Sequence, residues 1–124
     1  MGDFTPRFKP GHAVTFTASA AVTGGQLVEV SGNMTIAPAA AGSQKIVGQP
    51  GHDALAGEPV TVHTPGKTVT TAVASGAIAA GDPVKAAAAG KIAKFVVGTD
   101  ADLARFGTAL EGVADGQSVR VIPA

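Results

Sequence analysis

A short order of positions recurs along this chain: a glycine, two variable residues, a valine, a polar residue, then a valine or alanine. It occupies residues 25–30, 57–62, 81–86 and 116–121. The apolar positions fall two apart, and Glu29, Thr61, Lys85 and Arg120 stand between them. This alternation predicts a glycine turn feeding a strand with one apolar and one polar face.

Laying the sequence on itself groups the four units into two longer copies. Residues 22–37 match residues 78–93 at a shift of 56, pairing Gly25 with Gly81, Val28 with Val84 and Ile36 with Ile92. The match continues at a shift of 59, where Val47 and Gly48 meet Phe106 and Gly107, and Gly57 meets Gly116. Three extra residues fall between Ile92 and Phe106, where 99–105 reads as a capped helical turn or a surface loop. The pattern predicts an all-β fold, a small β-barrel or sandwich with an internal pseudo-twofold duplication. Its halves, about 13–66 and 67–124, are expected to fold as a single domain over 13–124.

Within that frame, Gly32-Asn33 reads as a two-residue hairpin turn, with Ala89-Gly90 in the corresponding place of the second copy. Pro59 and Pro83 stand at strand starts, where a missing N–H does little harm. Further strands are expected over 13–18, where Val14 and Phe16 share a face, and over 45–48, 67–73 and 109–113. The alanine tracts 37–41 and 86–89 favour helix by propensity. They are short, bounded by proline and glycine, and adjoin strand units, so they read as turns or strand flanks.

Residues 1–12 have no partner copy. Phe4, Pro6, Arg7, Phe8, Lys9 and Pro10 combine aromatic, cationic and proline positions. Proline fixes its own φ and restrains its predecessor, so the reading is an extended N-terminal arm. Aromatic residues on a segment with no core of its own are candidates for docking on a partner, by groove filling or strand addition. The alternatives are a tail folded back on its own barrel and a disordered one.

Composition narrows the function classes. The 124 residues are 45% hydrophobic and 4% aromatic, with five Phe and neither Trp nor Tyr, so the core is built from small and β-branched side chains. Nine Lys and Arg balance nine Asp and Glu, and only 15% of residues are charged. Nucleic-acid binding needs a clustered excess of cations that this sequence lacks, and a low-charge surface suits packing against protein. There is no cysteine, so disulfides and thiolate metal sites are excluded, which fits assembly in a reducing cytosol. The N-terminus lacks the apolar core of a signal peptide, and the least polar stretch, 68–81, is shorter than the roughly 20 residues of a spanning helix. A soluble protein with no membrane partner is expected.

Reactive chemistry finds little footing. His12, His52 and His63 are the available bases; His52 precedes Asp53, but neighbours on a strand face opposite ways, and no nucleophile elbow is present. Asp100 and Asp102 lack the glycine and downstream glutamate of a calcium loop. Neither glycine-rich phosphate motif occurs. No catalytic, metal or cofactor residues are assigned, and no enzyme is expected. Paired carboxylates of a glycosidase are not singled out among the nine acids.

In the order and spacing of its turn units the chain resembles the tailed-phage head decoration, or capsid cement, proteins. The likeness runs from Pro10-Gly11 and residues 14–18 through 22–33, Ile36-Ala37-Pro38, Ile46-Val47-Gly48, 56–60, 79–84 and Ala114-Asp115-Gly116. Residues 95–105 match nothing in it. The resemblance implies a β-rich virion protein, assembled in the host cytoplasm, that binds the outer surface of the assembled head. There it would clamp neighbouring major capsid protein subunits, commonly as a homotrimer, with multivalency making weak single contacts sufficient. Arg7 and Lys9 of the arm would then meet acidic capsid residues. Another virion part, in the tail or a head fibre, is an alternative, as is a small hydrolase or carbohydrate-binding module.

Overall fold

A computed structural model of the chain describes residues 13–64 and 69–123. Its four glycine turns share one construction. In the turns at 23–26, 55–58, 79–82 and 114–117 the N–H of the fourth residue donates to the carbonyl of the first, at 3.1, 3.1, 3.1 and 3.3 Å. Glycine is third in each, with φ of +82°, +88°, +86° and +81°. A type II turn requires positive φ at that position, which an L side chain adopts only with strain.

The fourth residue closes the turn a second time with its side chain. Gln26, Glu58, Asp82 and Gln117 each accept the N–H of the turn's first residue, at 3.0, 2.7, 3.0 and 3.1 Å. The glycine N–H groups in turn donate to the carbonyls of Pro50, Ala18, Ala109 and Ala74, which fixes each turn against a strand. The valine that follows each turn is fully or almost fully buried: Val28, Val60, Val84 and Val119.

Ten strands result. In the first half they are β1 (Ala13–Ala18), β2 (Val28–Gly32), β3 (Thr35–Pro38), β4 (Ile46–Pro50) and β5 (Pro59–His63). The second half has β6 (Thr70–Val73), β7 (Pro83–Ala86), β8 (Ile92–Lys94), β9 (Arg105–Ala109) and β10 (Ser118–Pro123). β1 to β5 form a closed barrel in the order β1-β3-β2-β4-β5, and the others form a sheet in the order β6-β10-β9-β7-β8. The antiparallel pairings correspond one to one: β1 with β5 and β6 with β10, β2 with β3 and β7 with β8, β2 with β4 and β7 with β9, β4 with β5 and β9 with β10.

The halves part company at the seam. In the barrel, β1 also pairs in parallel with β3 through Thr17 and Ala18, and the Thr17 N–H donates to Met34 O at 2.9 Å. In the second sheet, among the described residues, only the parallel bridge between Ala74 and Ile92 links the corresponding segments. There the carbonyl of Gly90 accepts instead the N–H of Leu27, from the first half, at 2.9 Å. A Cβ on Gly90 would lie 2.1 Å from Gln26 Cγ and 2.6 Å from Leu27 O, so only glycine permits this approach.

Two apolar clusters fill the interior. One is drawn from the barrel and includes Ala18, Val28, Ile36, Val60 and Val62. The other gathers Ile78, Val84, Ile92, Phe106, Val119 and Val121, together with Leu27 and Ala39 from the first half. Gln49 adds a polar link, donating to Gly25 O at 2.7 Å and to Thr71 O at 2.8 Å while its Oε1 accepts from the Thr70 hydroxyl.

Three details differ from the sequence reading. The hairpin between β2 and β3 turns at Asn33-Met34, because the register shifts between Val30 and Gly32 and Gly32 stays in the strand opposite Thr35. At the second site, Ala88–Gly90 forms a 3₁₀ turn with Ala89 at φ +59°. The strand expected over 109–113 lies earlier, as β9, and ends at Ala109; of the residues beyond, Val113 pairs singly with Ile78. Pro59 and Pro83 do begin β5 and β7.

Candidate functional site

The arm residues Phe4, Pro6, Arg7, Phe8, Lys9 and Pro10, and His12, lie outside the described residues. His52 is exposed in the β4–β5 connection, where its Nδ1 lies 2.9 Å from Asp53 O and its Nε2 accepts the Thr61 N–H at 3.5 Å. His63 ends β5. Among the described residues no three His, Asp or Glu side chains gather as a metal site. A cleft of about 390 Å³ between the halves is lined by Thr23, Gln26, Thr71, Val73, Lys91 and Ser118 among others, and brings together hydroxyls and one ammonium without a convergent acid–base pair.

The segments that link β3 to β4 and β8 to β9 occupy corresponding places but are built differently. Residues 39–45 are tied to the second half: Gly42 N–H donates to Ala86 O at 2.9 Å, and Gly90 N–H donates to Ala39 O at 3.1 Å. Glu29 secures them by accepting the Ala40 N–H at 2.8 Å and pairing with Lys45 at 3.8 Å. The Ala40 amide foremost, with Ser43 and Lys45, holds the Glu29 carboxyl below its ordinary range.

Residues 95–104 contain the three additional positions. At Val96, which corresponds to Ala40, the N–H is again bound by a carboxylate, now that of Asp100 at 2.7 Å. The other Asp100 oxygen meets Lys85 Nζ at 2.7 Å, so the strand supplies the cation here and the loop the acid. Lys85 first and the Val96 amide second hold the Asp100 carboxyl below its ordinary range. Asp100 is thus a loop clasp, and Asp102 opens the 3₁₀ turn Asp102–Ala104, which has no side-chain cap.

This clasped loop turns outward. Phe95 and Ala104 are buried and anchor its ends, while Val97 and Leu103 are 79% and 80% exposed. Pro83, Phe95, Val97, Asp102 and Arg105 line an open concavity of about 360 Å³ beside it. The next most exposed large aliphatic side chain, Leu55 at 66%, stands on the turn between Asp53 and Glu58 in the barrel half. Val97, Leu103 and Leu55 are thus large apolar side chains open to solvent, the first two on one clasped loop.

The sequence pattern that defines phage cement proteins matches residues 8–123. The chain belongs to the phage cement protein family. Among solved structures it is similar to the N base of the head fibre gp8.5 in bacteriophage phi29, with a TM-score of 0.71 and 21% identity over 91% of this chain and 93% of that one. That likeness is one of fold. No curated protein matches the chain.

The resemblance read from the turn units is thereby shown, and so is the all-β, barrel-containing fold. The extra segment, read from the sequence as a capped helical turn or a surface loop over 99–105, holds the 3₁₀ turn Asp102–Ala104 with Val97 and Leu103 exposed, but the turn has no side-chain cap and the clasp of Asp100 to Lys85 had no signal in the sequence.

Proposed function

We propose that this cement protein decorates the outer surface of an assembled phage head and strengthens it by bridging neighbouring major capsid protein subunits. The observation that carries the reading is the family match across 8–123. The role is structural rather than catalytic. The arm residues Phe4, Pro6, Arg7, Phe8, Lys9 and Pro10 engage the capsid by groove filling or strand addition, with Arg7 and Lys9 facing acidic groups. Residues 13–124 act as one body, self-associated as a homotrimer, so that each engaged copy raises the effective concentration of the next.

The test uses heads lacking the protein. Full-length chain is expected to saturate regular sites on them and to raise their resistance to heat, whereas a chain lacking residues 1–12 stays folded and binds more weakly. Equal binding by the shortened chain removes the arm from the interface, and absence of regular binding overturns decoration itself.

The fold likeness to a head-fibre base favours one second reading, a base on the head that carries a further protein. Image reconstruction separates the two: a base shows density of a further protein standing on it, and a decorator does not.

A further inference from the structure

β6 stands at the end of the second sheet, with β10 on one side and no strand among the described residues on the other. Ala74 turns its N–H and C=O toward β10, donating to Gln117 O and accepting from Gly116 N–H, so the alternation of a strand turns those of Thr71 and Val73 to the open side. In the barrel the corresponding edge is closed where Thr17 N–H meets Met34 O; here Gly90 O is taken by Leu27 N–H, and Val73 N–H is left without that carbonyl. The open stretch is short. The bridge from Ala74 to Ile92 ends it on one side, and Gln49, bound to Thr71 O at 2.8 Å, ends it on the other. Thr71, Ala72 and Val73 line the cleft between the halves together with Gly24, Gly25 and Gly90, which carry no side chains to block an entering backbone.

The chain outside the described residues begins close to this edge. Residues 1–12 precede Ala13, which lies opposite His63; His63 lies opposite Gln49, and Gln49 is bound to Thr71. Ala13 is therefore two strand spacings of about 4.8 Å and one glutamine side chain from Thr71, roughly 15–18 Å. Six residues, from Arg7 to Ala13, span about 20 Å, whereas four, from Lys9, span only about 13 Å. The prolines select the same register. Pro6 and Pro10 share one parity, so when Thr5 and Arg7 face β6 the positions without an N–H all face away from it. Residues opposite one another in an antiparallel pair share a face, which sets Thr5 and Arg7 beside the exposed Val73 and Thr71, and Phe4 and Pro6 on the face of the buried Ala72 and Ala74.

We propose that in the free chain the arm lies antiparallel along its own β6 as a sixth strand of the second sheet, with Arg7 opposite Thr71 and Thr5 opposite Val73. Thr5 exchanges both backbone bonds with Val73; Arg7 accepts the Thr71 N–H, while Gln49 keeps the Thr71 carbonyl. Pro6 then leaves the new outer edge without a donor at its centre, which discourages addition of a further strand. Capsid attachment through this arm becomes an exchange of one edge for another. That second step alone rests on the decoration reading.

The test reads amide hydrogen exchange at Thr71 and Val73 by NMR in the free, full-length chain, with barrel amides as the control for folding. Slow exchange at both is expected. Thr5→Pro removes the donor to Val73 O and sets a ring against β6, so it should speed exchange at Val73 by about tenfold or more, while Thr5→Ala, which keeps the N–H, leaves it slow. Fast exchange at Val73 in the unaltered chain overturns the seat, and so does slow exchange that survives Thr5→Pro. Protection that fades on dilution gives the edge to the arm of another copy and overturns the seat as well. A chain that shows the expected pattern yet fails to load on heads lacking the protein keeps the seat and overturns the decoration reading; one that loads on heads but exchanges fast at Val73 when free overturns the seat alone.

Discussion

Leu27 lies in the first half of the sequence, yet its side chain is fully buried in the cluster of the second sheet, beside residues such as Val84, Ile92 and Val119. Leu27→Ala therefore tests whether the halves are energetically one body. Three buried carbons are removed, worth about 2.4 kcal/mol by transfer at roughly 0.8 kcal/mol each, and the residual cavity brings the loss to about 3–4 kcal/mol. For 124 residues a total stability of roughly 6–18 kcal/mol is ordinary, so the change removes a large share. In thermal terms it lowers the melting midpoint by roughly 10–20 °C. With no Trp, the measurement is far-UV circular dichroism in urea, with the Phe band in the near-UV as a second probe. One cooperative transition is expected, shifted to lower urea with its slope unchanged. Val60→Ala in the barrel cluster should shift that same transition. A biphasic curve in which Leu27→Ala moves only one phase, or a loss below about 1 kcal/mol, refutes the reasoning.

Glycine substitutions should separate backbone strain from collision. At Gly81 a Cβ meets nothing within 4 Å and only φ +86° opposes it, so Gly81→Ala costs about 1–2 kcal/mol, whereas Gly90→Ala adds contact with Gln26 and Leu27 and costs roughly 3 kcal/mol or more; thermal melts rank them. Acid should weaken the fold through Glu29, whose carboxyl is held below its ordinary value of 4.5 by the Ala40 amide first and by Ser43 and Lys45 after it. A depressed folded-state pKa gives stability that is complete above the unfolded pKa and disappears as pH falls through the folded one, so urea midpoints should drop below about pH 4.5. Glu29→Gln should flatten that dependence, and an unchanged slope rules the contribution out.

Much of the scaffold was legible because its local demands are strict. Positive φ at the third turn position admits glycine and little else, so Gly25, Gly57, Gly81 and Gly116 recur and announce the strands behind them. The signal left unread was the residue after each glycine. Gln26, Glu58, Asp82 and Gln117 all carry a side-chain oxygen, and that chemistry closes every turn. The hairpin was misplaced because a register shift after Val30 has no signature in a run such as Val-Ser-Gly-Asn-Met. The 109–113 strand was misplaced by trusting local alternation over the self-match of Phe106-Gly107 with Val47-Gly48, which pointed to β9. The unequal seams were beyond sequence, since they depend on which N–H reaches the carbonyl of Gly90.

The candidate surface was legible only in part, and the reason bears on how such a chain could work. Two halves with like strand pairings would expose like surfaces, and like surfaces favour symmetric, self-limiting pairs. Here the equivalence is broken at one connection. Residues 39–45 are spent on joining the halves, through Gly42 to Ala86 and Ala39 to Gly90. Residues 95–104, longer by three, have no third half to join and are held open by Asp100 bridging Lys85 and Val96. The exchanged polarity of the clasp, an acid on β2 in one half and a base on β7 in the other, lets each connection keep its own shape on a shared framework. A body with one satisfied connection and one outward connection has two different ends. Contacts between different ends repeat around a ring or along a lattice without a mirror partner. On the decoration reading, this polarity is what the insertion contributes, and the clasp at Asp100 is the place where it is maintained.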